Sequence, residues 1–194
     1  MPISKLRPTK RAGAAIAAVV AASIGGYVLL PGGGKVPAPV ALAMETLVQP
    51  WEGRELRAYH DRLAKPPVWT ICDGDTDNVR PGMVETPAGC DRRLITRLVR
   101  DFYQPLTRCI AGFEARPIAW QAMMTSLGYN VGVAATCRST AARLGRAGQY
   151  RASCEAATAF NRAGGKVLIG LQRRREMGDA TRIGEGELCV TGLE

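Results

Sequence analysis

The chain predicts an α+β domain, mainly helical, with one small sheet in its first half. Three observations carry this. Apolar residues at three-and-four spacing mark helices over residues 39–48 and along most of the chain after Thr86. Between them, residues 56–71 alternate loosely and are interrupted by Pro66-Pro67, the pattern of a short hairpin. The length of 194 residues suits one good core with a small second lobe and is short for two independent domains.

Taken in order, the chain opens with a basic leader, Lys5, Arg7, Lys10 and Arg11. Residues 12–30 then carry no charge and include seven alanines and three glycines. Their length just suffices for a membrane span, although Ala and Gly contribute little transfer energy. Leader and stretch together read as an export signal; a helix buried in the folded domain ranks last among the alternatives. Pro31-Gly32-Gly33-Gly34-Lys35 lies in an expected linker over residues 31–38. The core domain is expected over residues 39–194.

Ala41, Leu42, Met44, Leu47 and Val48 form the stripe of the next helix, and Pro50 and Gly53 stop it. Asp61 falls on or beside the first hairpin strand, and Val68-Trp69-Thr70-Ile71 forms the return. Thr86-Pro87 is an N-cap and first-turn pair. It opens a helix through Leu94, Ile95, Leu98, Val99, Phe102 and Tyr103, with a kink or restart at Pro105. Pro117 opens a core helix through Trp120, Met123, Met124, Leu127 and Val131, which Gly132 closes. Residues 139–144 and 150–160 read as short helices broken by Gly145 and Gly148. Residues 161–165 read as an exposed loop, and Arg173, Arg174, Arg175 and Glu176 belong to a final helix.

The formal charge is +9, of which about +5 remains once the leader is set aside. A basic surface fits a polyanionic partner. There is no RNA-binding aromatic pattern, zinc-finger spacing or Gly-x-Gly-x-x-Gly, so nucleic acid is not expected. The acidic run 73–78 does not meet the EF-hand pattern, and neither a metal nor a cofactor is expected. Six cysteines, Cys72, Cys90, Cys109, Cys137, Cys154 and Cys189, without a Cys-x-x-Cys pair, favour three disulfides formed in an oxidising compartment. Pairing near neighbours gives Cys72–Cys90 and Cys137–Cys154, leaving Cys109–Cys189.

Glu52 and Asp61 are a candidate acid pair. Hydrolysis of a glycosidic bond needs one carboxyl that carries a proton and one that stays ionised. Glu52, between Trp51 and a turn, suits the first role because an apolar neighbour disfavours the charged form. Asp61, beside Tyr59 and His60, suits the second.

Several blocks resemble the phage-type lysozymes, the lambdoid and T4-like endolysins. They are Glu52-Gly53, Ala58-Tyr59-x-Asp61 and Trp69-Thr70-Ile71-x-x-Gly74-x-Thr76, then residues 126–132, 137–140, 160–165 and 170–176. The likeness spans roughly residues 40–177, in order. It implies a lysozyme-like fold with an active-site cleft between a small sheet lobe and a larger helical lobe. It also implies a monomeric muramidase acting on peptidoglycan in host cell lysis, with Glu52, Asp61 and Thr70 catalytic. Tyr59 and Asn130 would support the site, and Arg174 would orient Glu52. The rivals are a lytic transglycosylase and an inactive peptidoglycan-binding protein. Asp73 and Asp75 depart from many relatives and imply a more negative cleft. The resemblance further implies that residues 12–30 are a signal-arrest-release segment, giving transient inner-membrane association on the periplasmic face before release to the periplasm.

Overall fold

The computed structural model describes residues 5–30, 34–62 and 65–194. Ten α-helices and three small antiparallel sheets appear among them. The centre is α5 (Ile118–Val131), in which ten successive residues, 119 to 128, are buried. A helix sheathed on all sides needs apolar or internally paired residues all round. Trp120, Met123, Met124 and Leu127 supply the first, while Trp120 Nε1 donates to Ser153 Oγ at 2.8 Å. Around α5 pack α2 (Ala38–Ala43), α8 (Tyr150–Ala157) and α10 (Glu185–Thr191).

The helix expected over 39–48 is α2 followed by a wider π-helical turn, Met44–Val48. Thr86 caps α3 (Pro87–Arg97), its hydroxyl accepting from Gly89 N at 3.0 Å. The same helix widens at Leu98–Tyr103 and runs into α4 (Gln104–Cys109) without breaking at Pro105. A proline lacks an N–H and crowds the preceding turn; the widened turn immediately before it accommodates both. Gly145 lies inside α7 (Thr140–Arg146) instead of ending a helix. A Cβ there would lie 2.0 Å from Trp120 Cζ2, so the glycine is needed for close approach. Gly145→Ala is therefore expected to destabilise the protein by about 1–3 kcal/mol, read as a lowered chemical-denaturation midpoint. The expected loop at 161–165 is instead a tight hairpin, β6 (Arg162–Ala163) and β7 (Lys166–Val167), turning on Gly164 and Gly165 at positive φ.

The reading of residues 12–30 as a membrane segment is overturned. α1 covers only Lys10–Ala21, about 18 Å at 1.5 Å per residue. Residues beyond it turn back into β1 (Ser23–Ile24) and β2 (Tyr27–Leu29), and β2 pairs with β3 (Lys35–Pro37). No helix among the described residues is long and apolar enough to cross a membrane. α1 packs against α2 and α10, and Leu6, Ala12 and Val19 belong to the core. Inner-membrane association and the location built on it are withdrawn accordingly. The expected linker overlaps residues 31–33, which lie outside the described residues.

Cys72–Cys90 forms as expected, but the other two bridges are Cys109–Cys137 and Cys154–Cys189. Nearness in sequence misleads because the helices fold back. The end of α4 meets α6 (Val133–Arg138), and α8 faces α10.

Candidate active site

Glu52 stands just past the π-helical turn, where Val48 O accepts from both Trp51 N and Glu52 N at 3.0 Å. Trp51 is held by the segment after α9 (Ile169–Arg175): its Nε1 donates to Ile183 O at 2.9 Å, and the Arg182 guanidinium lies 4.0 Å above its ring. The apolar neighbour expected for Glu52 is thus engaged elsewhere. Its carboxylate is instead gripped by Arg174 of α9, with Nη1 donating to Oε1 at 2.6 Å. Arg174 is buried, whereas the Glu52 side chain is 25% exposed. Of the three consecutive arginines, Arg174 is the one that reaches the acid.

Behind Arg174 lies a buried polar cluster that the sequence did not reveal. Glu185 Oε1 accepts from Ser126 Oγ at 2.7 Å, from Arg174 Nε at 3.4 Å and from Arg175 Nη1. Arg175 also donates to Phe160 O at 3.2 Å and to Asn130 Oδ1. Asn130, expected to support the site, accepts from Arg175. Its neighbour Tyr129 donates its hydroxyl to Asp73 O, tying α5 to the end of the hairpin.

The hairpin is β4 (Glu55–Asp61) and β5 (Val68–Cys72), with an irregularity between Glu55 and Tyr59. Tyr59 pairs with Thr70, and Asp61 with Val68. Alternation then places Tyr59, Asp61 and Thr70 on one face. His60 and Trp69 share the other, their rings 5.2 Å apart. Thr70 is only 3% exposed, which makes it the innermost of the three candidates; Asp61 is half-buried. Partial burial first, then the charges of Asp61, Glu55 and Glu52, push the Tyr59 phenol upward. Burial and the Glu52 charge do the same to Tyr129. Both phenols therefore remain hydrogen-bond donors across the neutral range.

An open cavity of about 500 Å³ is lined by Glu52, Gly53, Glu55, Tyr59 and Gly74. Asp61 and Thr70 lie outside that lining. Asp73 and Asp75 do not leave the cleft as negative as expected. Both are buried, Asp73 paired with Arg54 at 2.8 Å, and Asp75 with Arg93 and Arg97. Arg54 also meets Asp91 at 2.9 Å, so the residues after Glu52 are fastened to both the hairpin and α3.

An acid held at the edge of a groove between a small hairpin lobe and a larger helical lobe is a lysozyme-like architecture. The description of the phage lysozyme family matches residues 49–178, and the chain belongs to that family. Among solved structures, the chain resembles the active form of P1 phage endolysin Lyz, with TM-score 0.64 and 21% identity over 94% of this chain and 95% of that one. An endolysin from Escherichia coli O157:H7 phage FAHEc1 gives 0.63 and 24%, over 83% and 96%. The muramidase domain of SpmX from Asticaccaulis excentricus gives 0.59 and 23%, over 79% and 95%. At these identities the likeness is one of fold. No curated protein sequence matches the chain.

Proposed function

We propose that the protein is an endolysin that hydrolyses the β-1,4 bond between N-acetylmuramic acid and N-acetylglucosamine of peptidoglycan, with inversion, in host cell lysis. The observation that carries this reading is the Glu52 carboxylate, held by a buried arginine at the edge of an open cavity beside the Asp61 and Thr70 face. Membership of the phage lysozyme family supports it, as does the likeness to two endolysins and a muramidase domain.

In this mechanism Glu52 protonates the departing glycosidic oxygen, and the bond from that oxygen to the muramic anomeric carbon breaks. Positive charge develops on the sugar and is stabilised by Asp61. A water held by Asp61 and the Thr70 hydroxyl attacks from the opposite face and gives its proton to Asp61. Inversion needs room for that water, with carboxyl groups about 6.5–9.5 Å apart. Burial of Thr70 suits a single held water over bulk solvent.

Product analysis on purified peptidoglycan tests the chemistry. Hydrolysis with inversion is expected to give new reducing ends at N-acetylmuramic acid, with the α-anomer formed first in early proton spectra. Anhydro-sugar ends would replace hydrolysis with transglycosylation, and a first-formed β-anomer would mean retention. A folded protein that binds peptidoglycan and releases no fragments would be a binding protein.

A further inference from the structure

We propose that Glu185 is a positioning residue for the catalytic acid, acting through Arg174. The inference rests on the reading of Glu52 as general acid, and it concerns a residue beyond the 49–178 family match. Glu185 opens α10, is fully buried, and sits between two arginines adjacent in sequence. A guanidinium is a rigid planar fork, so fixing one nitrogen restricts where the others point. Ser126 donates to Glu185 Oε1, the same oxygen accepts from Arg174 Nε at 3.4 Å, and this leaves Nη1 aimed at Glu52. Arg175 is held separately by Phe160 O and Asn130, so it meets the same carboxylate without competing for Glu52.

Stability alone does not account for this cluster. Arg174 Nη2 and Glu185 Oε2 are buried without a hydrogen-bond partner among the described residues. Leaving such atoms unpaired is costly, and apolar residues of similar volume often fill such a site at no loss of stability. The arrangement does supply a fixed direction for the one arginine that touches the acid. Catalysis requires such direction, because small misplacements of a reacting group cost large factors in rate.

The test is a double-mutant cycle on the full chain, with kcat and apparent KM measured on peptidoglycan fragments of defined length, and folding checked by thermal melts. Glu185→Gln is expected to lower kcat by about tenfold and to leave KM within about twofold, because the interaction lost matters chiefly in the transition state. In an Arg174→Ala background the same change is expected to alter kcat by less than about twofold, since residues acting as a unit are non-additive. A folded Glu185→Gln with the original kcat overturns the proposal, as does an undiminished effect in the Arg174→Ala background. If Glu185→Gln does not fold, Glu185→Asp serves: it keeps the charge, shortens the reach and is expected to fall between, and an unchanged kcat overturns the proposal. Glu52→Gln is run alongside. Full activity there removes the general-acid reading itself, whereas an inactive Glu52→Gln beside a fully active Glu185→Gln removes only the positioning role.

Discussion

Glu52→Gln is expected to lower kcat on peptidoglycan by roughly a thousandfold while leaving the protein folded, because a positioned general acid contributes about 10²–10⁴. The substitution is nearly isosteric. The amide oxygen can still accept from Arg174 Nη1, so the 2.6 Å pairing geometry has a substitute. What is lost is an acidic proton for the leaving oxygen. Stability should change by less than about 1 kcal/mol, since Glu52 is partly exposed and Arg174 keeps Glu185. Clearing of purified peptidoglycan, read beside a thermal melt, checks both halves. Equal clearing by the two proteins would move the chemistry away from Glu52.

The hairpin and its acids were legible because the information is local. A helix stop at Pro50 and Gly53, followed by alternation through Tyr59 and Asp61 to Thr70, fixes which residues share a face without distant partners. Thr86-Pro87 and the apolar stripe of α5 were legible for the same reason. The cluster behind Arg174 was not. Ser126 and Glu185 are 59 residues apart in the chain, and neither carries a local signal that it faces an arginine. The N-terminal stretch misled because Ala12 to Leu30 carry no charge, which suits lipid and a short helix docked by a few apolar residues, here Ala12 and Val19, equally well. What decided between them is that the helix stops at Ala21 and the chain turns back through Gly25 and Gly26, both at positive φ, into paired strands. Two disulfides were mispaired because neighbours in sequence sit on helices that fold away from each other. Asp73 and Asp75 looked like free cleft charge because their arginines come from the Glu52 loop and α3.

Arg11→Ala is expected to destabilise the protein by about 2–4 kcal/mol, because it strips the partner from a buried carboxylate. Glu187 is fully buried, and Arg11 Nε and Nη2 reach its two oxygens at 2.7 and 2.8 Å. The same guanidinium donates to Met177 O at 3.0 Å and Asp179 O at 2.7 Å, so it also closes the loop between α9 and α10. The expected cost lies below that of a wholly buried pair because the Arg11 side chain is 39% exposed. Burial by itself would raise the Glu187 carboxyl, but hydrogen bonds from Arg11, Thr9 and Gly184 N outweigh it and hold the group below the usual carboxylate range. A depressed folded pKa stabilises above the unfolded value, near about 4.3, and the contribution is lost as pH falls through the folded value. The stability gap between the original protein and Arg11→Ala should therefore be widest near neutrality and narrow on acidification. Denaturation midpoints measured across that range check it, and equal midpoints at neutral pH would sink the idea. The loop that Arg11 closes also carries Ile183 O and Arg182, which hold Trp51, the residue that precedes Glu52 in the chain. Loosening it should lower kcat as well, which would make the first helix part of the catalytic framework.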